Sequence, residues 1–361
     1  MYKFGYLMPY LFAAPTLLGF LYGGLYWWII PAMYLSLPIA DLIVGGKDRF
    51  VARSKVGPIE YYYYRILMVL FVPVQSAIIL YGCYYFSKGN FQLYEAIGII
   101  FSIGILTGGV GLNIAHECTH KTNPMVRNVG RFFLIVTGWC YFAVEHPRVH
   151  HKFSVTGTKK DPVLSVINET LYSFIPKSIW RSHIATWQYE LSKHEGSAWK
   201  TLKESELSGM YLLSLIFHAA VFAIFGAYGL AFTLINDLVA ILMLQHQDYV
   251  HHYGLTRRTL NDGSYEKYQD FYTWSSNSIL ANWALFELPR HAFHHKIPYA
   301  NFEEAVDMNN ESKMPYGYFT MLFISFFPFA WFKLMNPKVE EVFRKREISN
   351  TIEKTVTREA V

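Results

Sequence analysis

The chain has 361 residues, 52% of them hydrophobic and only 16% charged. Length alone would allow two or three soluble domains, but the long uncharged blocks point to one integral membrane unit. A net charge of +5 with no extended basic tract argues against nucleic acid as a partner, and Cys83, Cys118 and Cys140 form no C-x-x-C pair, which argues against an in-chain rubredoxin-like or iron–sulfur module and against a disulfide framework.

From Phe4 to Ala40 no residue is charged, far more than the core of a cleavable signal. The Gly23-Gly24 break divides this stretch into a hairpin of two membrane helices, over about 4–23 and 25–43. Uncharged runs over 66–87 and 96–115 each match the roughly 20 residues needed to cross a hydrocarbon core. Residues 207–236 are also uncharged, apolar character continues past Asp237 to Leu244, and the block divides near Gly226–Gly229 into two further helices. The expected fold class is an all-α integral membrane protein with six transmembrane helices in three hairpins. It reads as one domain over 1–361: helices one to four in 1–115, a polar region over 116–206, helices five and six over 207–246, and a second polar region over 247–361. The turns on one side are nearly uncharged, with Lys88 their only basic residue; the other side carries Lys47, Arg49, Arg53, Lys55 and both polar regions. The excess of cations places that side, with both termini, in the cytoplasm. Residues 132–144 are too short to span and 315–332 are interrupted by Pro328, so both read as interfacial or re-entrant segments. The charged tail from about 338 to 361 is expected to fray.

Of fourteen histidines, nine fall in four clusters that follow the apolar runs. His116 and His120 are four apart and share one face of a helix; His146 and His150 repeat the spacing, with His151 about 100° further round; His291 and His295 repeat it again, with His294 between. His252 stands in the remaining cluster, preceded by His251. Imidazoles at such spacing are metal ligands. One metal takes at most about six ligands, so nine imidazoles imply two metals. Ligand type alone leaves zinc, copper, iron and nickel open. His183, His194, His218 and His246 lack the pattern and are read as non-ligands. The first cluster also satisfies H-E-x-x-H, in which Glu117 would be the general base of a zinc protease, but that chemistry leaves six or more patterned histidines unused. A carboxylate-bridged di-iron bundle needs two Glu-x-x-His pairs, and only Glu117 with His120 supplies one.

Taken together the clusters resemble the motifs of the integral-membrane di-iron alkane and xylene monooxygenases. That family carries H-E-x-x-H-[KR], E-H-x-x-G-H-H, N-Y-x-[EQ]-H-Y-G-L and L-Q-R-H-x-x-H-H; here they appear as His116 to Lys121, Glu145 to His151, Asp248 to Leu255 and Leu288 to His295. Asp161-Pro162 and the stretch with Trp274, Asn277 and Asn282 are similar to family positions as well, so the likeness runs from about 110 to 300. Val149, His251 and Pro289 depart from the pattern without removing a ligand. The resemblance implies two irons held by His116, His120, His146, His150, His151, His252, His291, His294 and His295. It further implies O2, an apolar hydrocarbon substrate such as an n-alkane or a xylene methyl group, and electrons from a rubredoxin or ferredoxin-type donor with an NAD(P)H-dependent reductase. The expected location is the bacterial inner membrane with the site on the cytoplasmic side, in contact with membrane lipid.

A ligating imidazole needs a partner on its other ring nitrogen to fix the tautomer. Glu117, Glu145 and Asp161 are the candidates, with His251 as a further supporting residue. Asp237 lies inside the sixth expected span, where His218 of the fifth could pair with it in a structural hydrogen bond. A membrane lipid desaturase, whose histidine boxes look similar, is the competing reading; a zinc protease and a metal transporter or sensor stand further off.

Overall fold

A computed structural model describes residues 2–46, 57–157 and 159–359. Five helices are long and apolar enough to cross a membrane: α1 (Phe4–Tyr22), α2 (Gly24–Val44), α3 (Pro58–Ser87), α4 (Leu93–Thr119) and, later in the chain, α8 (Glu206–His252). Between them lie α5 (Pro124–Val136), the helical segment α6 (142–153) and α7 (Leu171–Lys193). After α8 come β1 (Trp274–Ser275), α9 (Ile279–Ala284), α10 (His291–Lys296), β2 (Ser312–Lys313), α11 (Tyr318–Ser325) and α12 (Pro328–Glu359). The two β segments form one parallel pair, a small departure from the all-α expectation.

The expected count was six, against five candidate spans here, and the difference lies in α8. It runs 47 residues, but Gly226 breaks it with φ 69° and ψ −169°. The same positive φ divides α1 from α2 at Gly23. Nineteen residues of straight helix would separate His218 from Asp237 by about 28 Å, yet His218 Nε2 lies 3.0 Å from Asp237 Oδ2. The two halves of α8 therefore fold back on one another at Gly226, a conformation open to glycine because it has no Cβ.

The later half of α8 packs into α3 and α4 through small residues. A side chain at Gly108 would run into the Ala240 backbone, and Gly82 and Gly104 lie under Phe232 and Val239. Such close backbone approach is how helices associate where no hydrophobic driving force separates them from lipid. A polar row runs through this interface: Gln75 Nε2 donates to Thr107 Oγ1 at 2.9 Å, and Thr107 Oγ1 donates to Asn236 Oδ1 at 3.2 Å. The outer faces stay apolar and open, with Leu21 72%, Leu25 75% and Ile43 79% exposed, as lipid contact requires.

Two features, the start of α3 and the tail, differ from the sequence expectation, while 315–332 is interrupted at Pro328 as its sequence suggests. α3 begins at Pro58, well before the apolar run at 66, because Arg65 is buried against Glu303 at 2.5 Å and does not mark the end of the span. Residues 315–332 form two helices broken before Pro328; α11 packs on α2, where the Phe319 amide donates to Asp41 at 2.9 Å. The tail expected to fray is helical to Glu359, supported where its side chains are described by Lys338–Glu341 and Lys345–Glu341 pairs. The cations Lys47, Arg49, Arg53 and Lys55 lie outside the described residues.

Candidate metal centre

The end of α4, the segment α6, the end of α8 and α10 converge at one end of the bundle and bring all nine patterned histidines together. They sort into two groups. His116, His120, His146, His151 and His294 form the first, with their ligand atoms within 4.8 Å of one another; His150, His252 and His295 form the second. His291 joins the second, its Nε2 lying 3.0 Å from the Nε2 of both His252 and His295.

Within the groups the Nε2 atoms face one another. His116 is 2.6 Å from His146 and 3.0 Å from His294; His151 is 3.1 Å from His146 and 3.0 Å from His294; His150 is 3.2 Å from His295. A metal holds imidazole nitrogen at about 2.0–2.1 Å, so neighbouring ligands at right angles stand about 3 Å apart. Pairwise hydrogen bonding does not explain the arrangement, because each ring nitrogen either donates or accepts once while these converge in sets. The donor set therefore fits two metal ions.

Local backbone makes the sorting possible. In a regular helix His151 would stand about 100° from His150. Residues His146–His150 instead form a π-turn, closed by the His151 amide on the His146 carbonyl. The wider turn directs His146 and His151 to the first group and His150 to the second. π-turns recur at functional sites for this kind of re-aiming. α10 is a regular helix, and its i,i+3 and i,i+4 spacing sends His294 to the first group and His291 and His295 to the second.

Seven of the nine are buried, while His120 and His151 are partly exposed. Burial holds the imidazoles of His120, His146, His151, His291, His294 and His295 well below their ordinary range, and neighbouring imidazoles push the same way. They are neutral at pH 7, each with a lone pair to offer. His150 goes the other way: burial pulls it down, but the Asp161 carboxylate outweighs that and raises it. In the unfolded chain these six rings titrate near 6.5, so on acidification the unfolded state takes up protons that the folded one refuses, and stability falls. Metal-free protein in detergent is expected to melt at a lower temperature at about pH 5.5 than at about pH 7.5; equal melting would show that the rings are not held neutral.

The candidate supporting residues separate. His150 Nδ1 lies 2.9 Å from Asp161 Oδ1, and the carboxylate also accepts the Val155 amide at 2.6 Å and the Val163 amide at 3.3 Å. Asp161 thus keeps the proton on Nδ1 and leaves Nε2 open. Glu117 turns away from the imidazoles, to Lys121 at 2.6 Å and the Phe302 amide at 3.2 Å. Glu145 is buried beside the second motif, with burial as the main cause pushing its carboxyl up to about 8. His251 donates from Nδ1 to the Trp274 carbonyl at 2.8 Å, and its ring is stacked between His291 and Tyr318. The other four histidines lie apart: His218 on Asp237, His246 on Ser325 at 2.5 Å, His183 near Tyr211 and His194 near Glu190.

Three contributors escaped the sequence reading. Arg290, next to His291, is buried between Glu287 at 2.8 Å and Asp307. Asp248 lines a small cavity between the groups with His116, His146, His251 and His291; its i,i+4 spacing to His252 was the available signal. Tyr268 stacks on His295 with centroids 5.6 Å apart, which nothing in the sequence marks. Beyond the groups, an apolar cavity lined by Phe12, Tyr34, Val110, Leu285 and Phe319 opens among α1, α2 and α4. Leu285 also lines a second cavity that reaches His116 and His294.

Residues 93–329 match the fatty acid desaturase family. The chain is 31% identical to alkane 1-monooxygenase 2 of Alcanivorax borkumensis over 355 residues, covering 95% of this chain and 92% of that one. It is 29% identical to alkane 1-monooxygenase of Acinetobacter baylyi over 317 residues, covering 87% and 76%. It is 26% identical to the xylene/toluene monooxygenase hydroxylase component of Pseudomonas putida over 347 residues, covering 93% and 88%.

Proposed function

Because the chain belongs to the fatty acid desaturase family, together with the alkane 1-monooxygenases, we propose that it hydroxylates a C–H bond of an apolar hydrocarbon at a pair of irons. It is a membrane oxidoreductase of the monooxygenase type. The substrate is an n-alkane, attacked at the terminal carbon, or the methyl group of an alkyl aromatic such as xylene. The reaction takes hydrocarbon, O2, two electrons and two protons to alcohol and water. An alkane offers no polar handle, so acid–base groups alone cannot open the bond; bound iron supplies the chemistry by accepting electrons and cleaving O2.

The chain supplies the rest. The five imidazoles of the first group would hold one ion and the four of the second the other, and Asp161 holds the proton of His150 at Nδ1. The apolar cavity among α1, α2 and α4 orients the substrate and excludes water, with Leu285 at the step between it and the histidines. Counting the two halves of α8 separately supports a reading of six crossings, and the cation excess supports one with the metal centre on the cytoplasmic face of the inner membrane. Electrons come from a rubredoxin or ferredoxin-type protein, itself reduced by an NAD(P)H-dependent reductase.

The observation that carries this reading is the pair of Nε2-convergent histidine groups, with an apolar cavity that shares Leu285 with the cavity reaching His116 and His294. A desaturase would use a similar centre, and the product separates the two. Protein in lipid nanodiscs, given reduced rubredoxin, 18O2 and a panel of n-alkanes, xylenes and fatty acyl substrates, is expected to yield an alcohol with one labelled oxygen. An alkene without label would assign it to desaturation.

A further inference from the structure

Resting on the monooxygenase reading above, we propose that Leu285 is a fixed constriction that lets only a methyl end of the hydrocarbon reach the metal groups, and so determines which carbon is hydroxylated. Shape has to make that choice. The C–H bonds of a methylene are weaker than those of a methyl group, so an oxidant able to open the stronger bond attacks the weaker one first wherever both can reach it. Leu285 stands where the choice is made. It lines the apolar cavity among α1, α2 and α4, and it also lines the second cavity, which reaches His116 and His294. It is itself buried, 5% exposed.

The walls of this passage are unequal. The apolar cavity has a volume of about 40 Å3 and the second about 20 Å3, whereas a cavity that holds benzene measures roughly 150 Å3. A hydrocarbon therefore enters by pushing side chains apart. Met33 and Tyr34 on α2 and Ile105 on α4 are partly exposed and can give way. Leu285 cannot. The two residues after it, Phe286 and Glu287, both have left-handed backbone, with φ 50° and 61°. Residues other than glycine hold that conformation only where their surroundings impose it. Here Phe286 stacks on Tyr6 with planes at 12° and meets Phe302 edge-on with centroids 5.0 Å apart. The Glu287 carboxylate accepts from the Tyr6 hydroxyl and from Arg290 Nε at 2.8 Å, and the Glu287 amide donates to the Asn282 carbonyl at 2.9 Å. The turn is thus pinned from α1, from α9 and from the residue before His291. Strain held in place by a buried network suits a wall that must not move. The end of a chain passes such a wall, and the middle of a chain, with carbon on both sides, does not.

The test is product analysis of wild type, Leu285→Ala, Leu285→Val and Leu285→Met in nanodiscs, with reduced rubredoxin and O2. The substrates are n-octane and para-ethyltoluene, each of which offers both methyl and methylene carbons. Wild type is expected to give the alcohol of a methyl carbon. Leu285→Ala is expected to raise the share of methylene alcohols about tenfold, the order expected when a methylene-sized contact is lost from an apolar pocket. Leu285→Val should raise it by less, and Leu285→Met, which conserves volume, should keep the methyl preference. Iron content of the same preparations is expected to match wild type, since Leu285 belongs to neither metal group. An unchanged product ratio in Leu285→Ala and Leu285→Val at full iron would overturn the proposal, and so would methylene alcohols as the main products of wild type. If the alanine variant does not fold, the smaller valine change decides. No alcohol from wild type on either substrate would instead sink the monooxygenase reading, and the constriction with it.

Discussion

His150→Ala is expected to abolish hydroxylation and to remove about half of the bound iron while the protein still inserts and folds. His150 is fully buried and, among the described residues, is the member of the second group hydrogen-bonded to Asp161. Without it three imidazoles remain there, His252, His291 and His295, and the ion loses the ring held most firmly from behind. The fold survives because Asp161 keeps the Val155 and Val163 amides, and the spans are set by α1 to α4 and α8. Asp161→Asn should be milder. Its amide can still accept from His150 Nδ1, but the amino group then faces a backbone donor, and a loss of about 10–100-fold in iron affinity or turnover is expected. Iron analysis of the two purified variants, set beside turnover, checks both; full iron and full turnover in His150→Ala would remove this residue from the ligand set.

Arg290→Leu is expected to destabilise the protein by about 3–5 kcal/mol, the cost of leaving buried carboxylates without their cation. Arg290 is 1% exposed and pairs with both Glu287 and Asp307. Glu287 is also reached by the Tyr6 hydroxyl, so the network ties α1 to the segment that carries the fourth motif. The effect should therefore reach the site, since Arg290 immediately precedes His291. Thermal denaturation in detergent together with iron content checks this, with Arg290→Lys expected to recover only part of the loss because one ammonium cannot reproduce the planar guanidinium fork. A melting temperature equal to wild type would show that the pairs carry no weight.

The histidine clusters were readable because their spacing is local. Four-residue intervals put His116 with His120 and His291 with His295 on one face of a helix whatever the rest of the chain does. The partition between the groups was not readable, since it depends on the π-turn at His146–His150, and hydrogen bonds from residue i to i+5 leave no mark in a hydropathy pattern. The first hairpin was legible from the Gly23-Gly24 break, and the fold-back at Gly226 from the length of the apolar block. The start of α3 was misplaced because a charge ends a hydropathy run, whereas Arg65 is paired within the protein. Glu117 satisfied a protease motif in sequence, yet its partner is Lys121 and not a ring nitrogen. Only tertiary contacts distinguish those outcomes. Asp161, by contrast, stands on a loop eleven residues from His150, and its contact depends on how that loop closes.

The most direct measurement is the metal content of the purified protein, read by elemental analysis together with Mössbauer spectroscopy of 57Fe-grown material. Five and four imidazoles in two adjoining groups predict two irons per chain in distinguishable ligand environments. A single zinc with no redox-active iron would contradict that, and with it the hydroxylation chemistry.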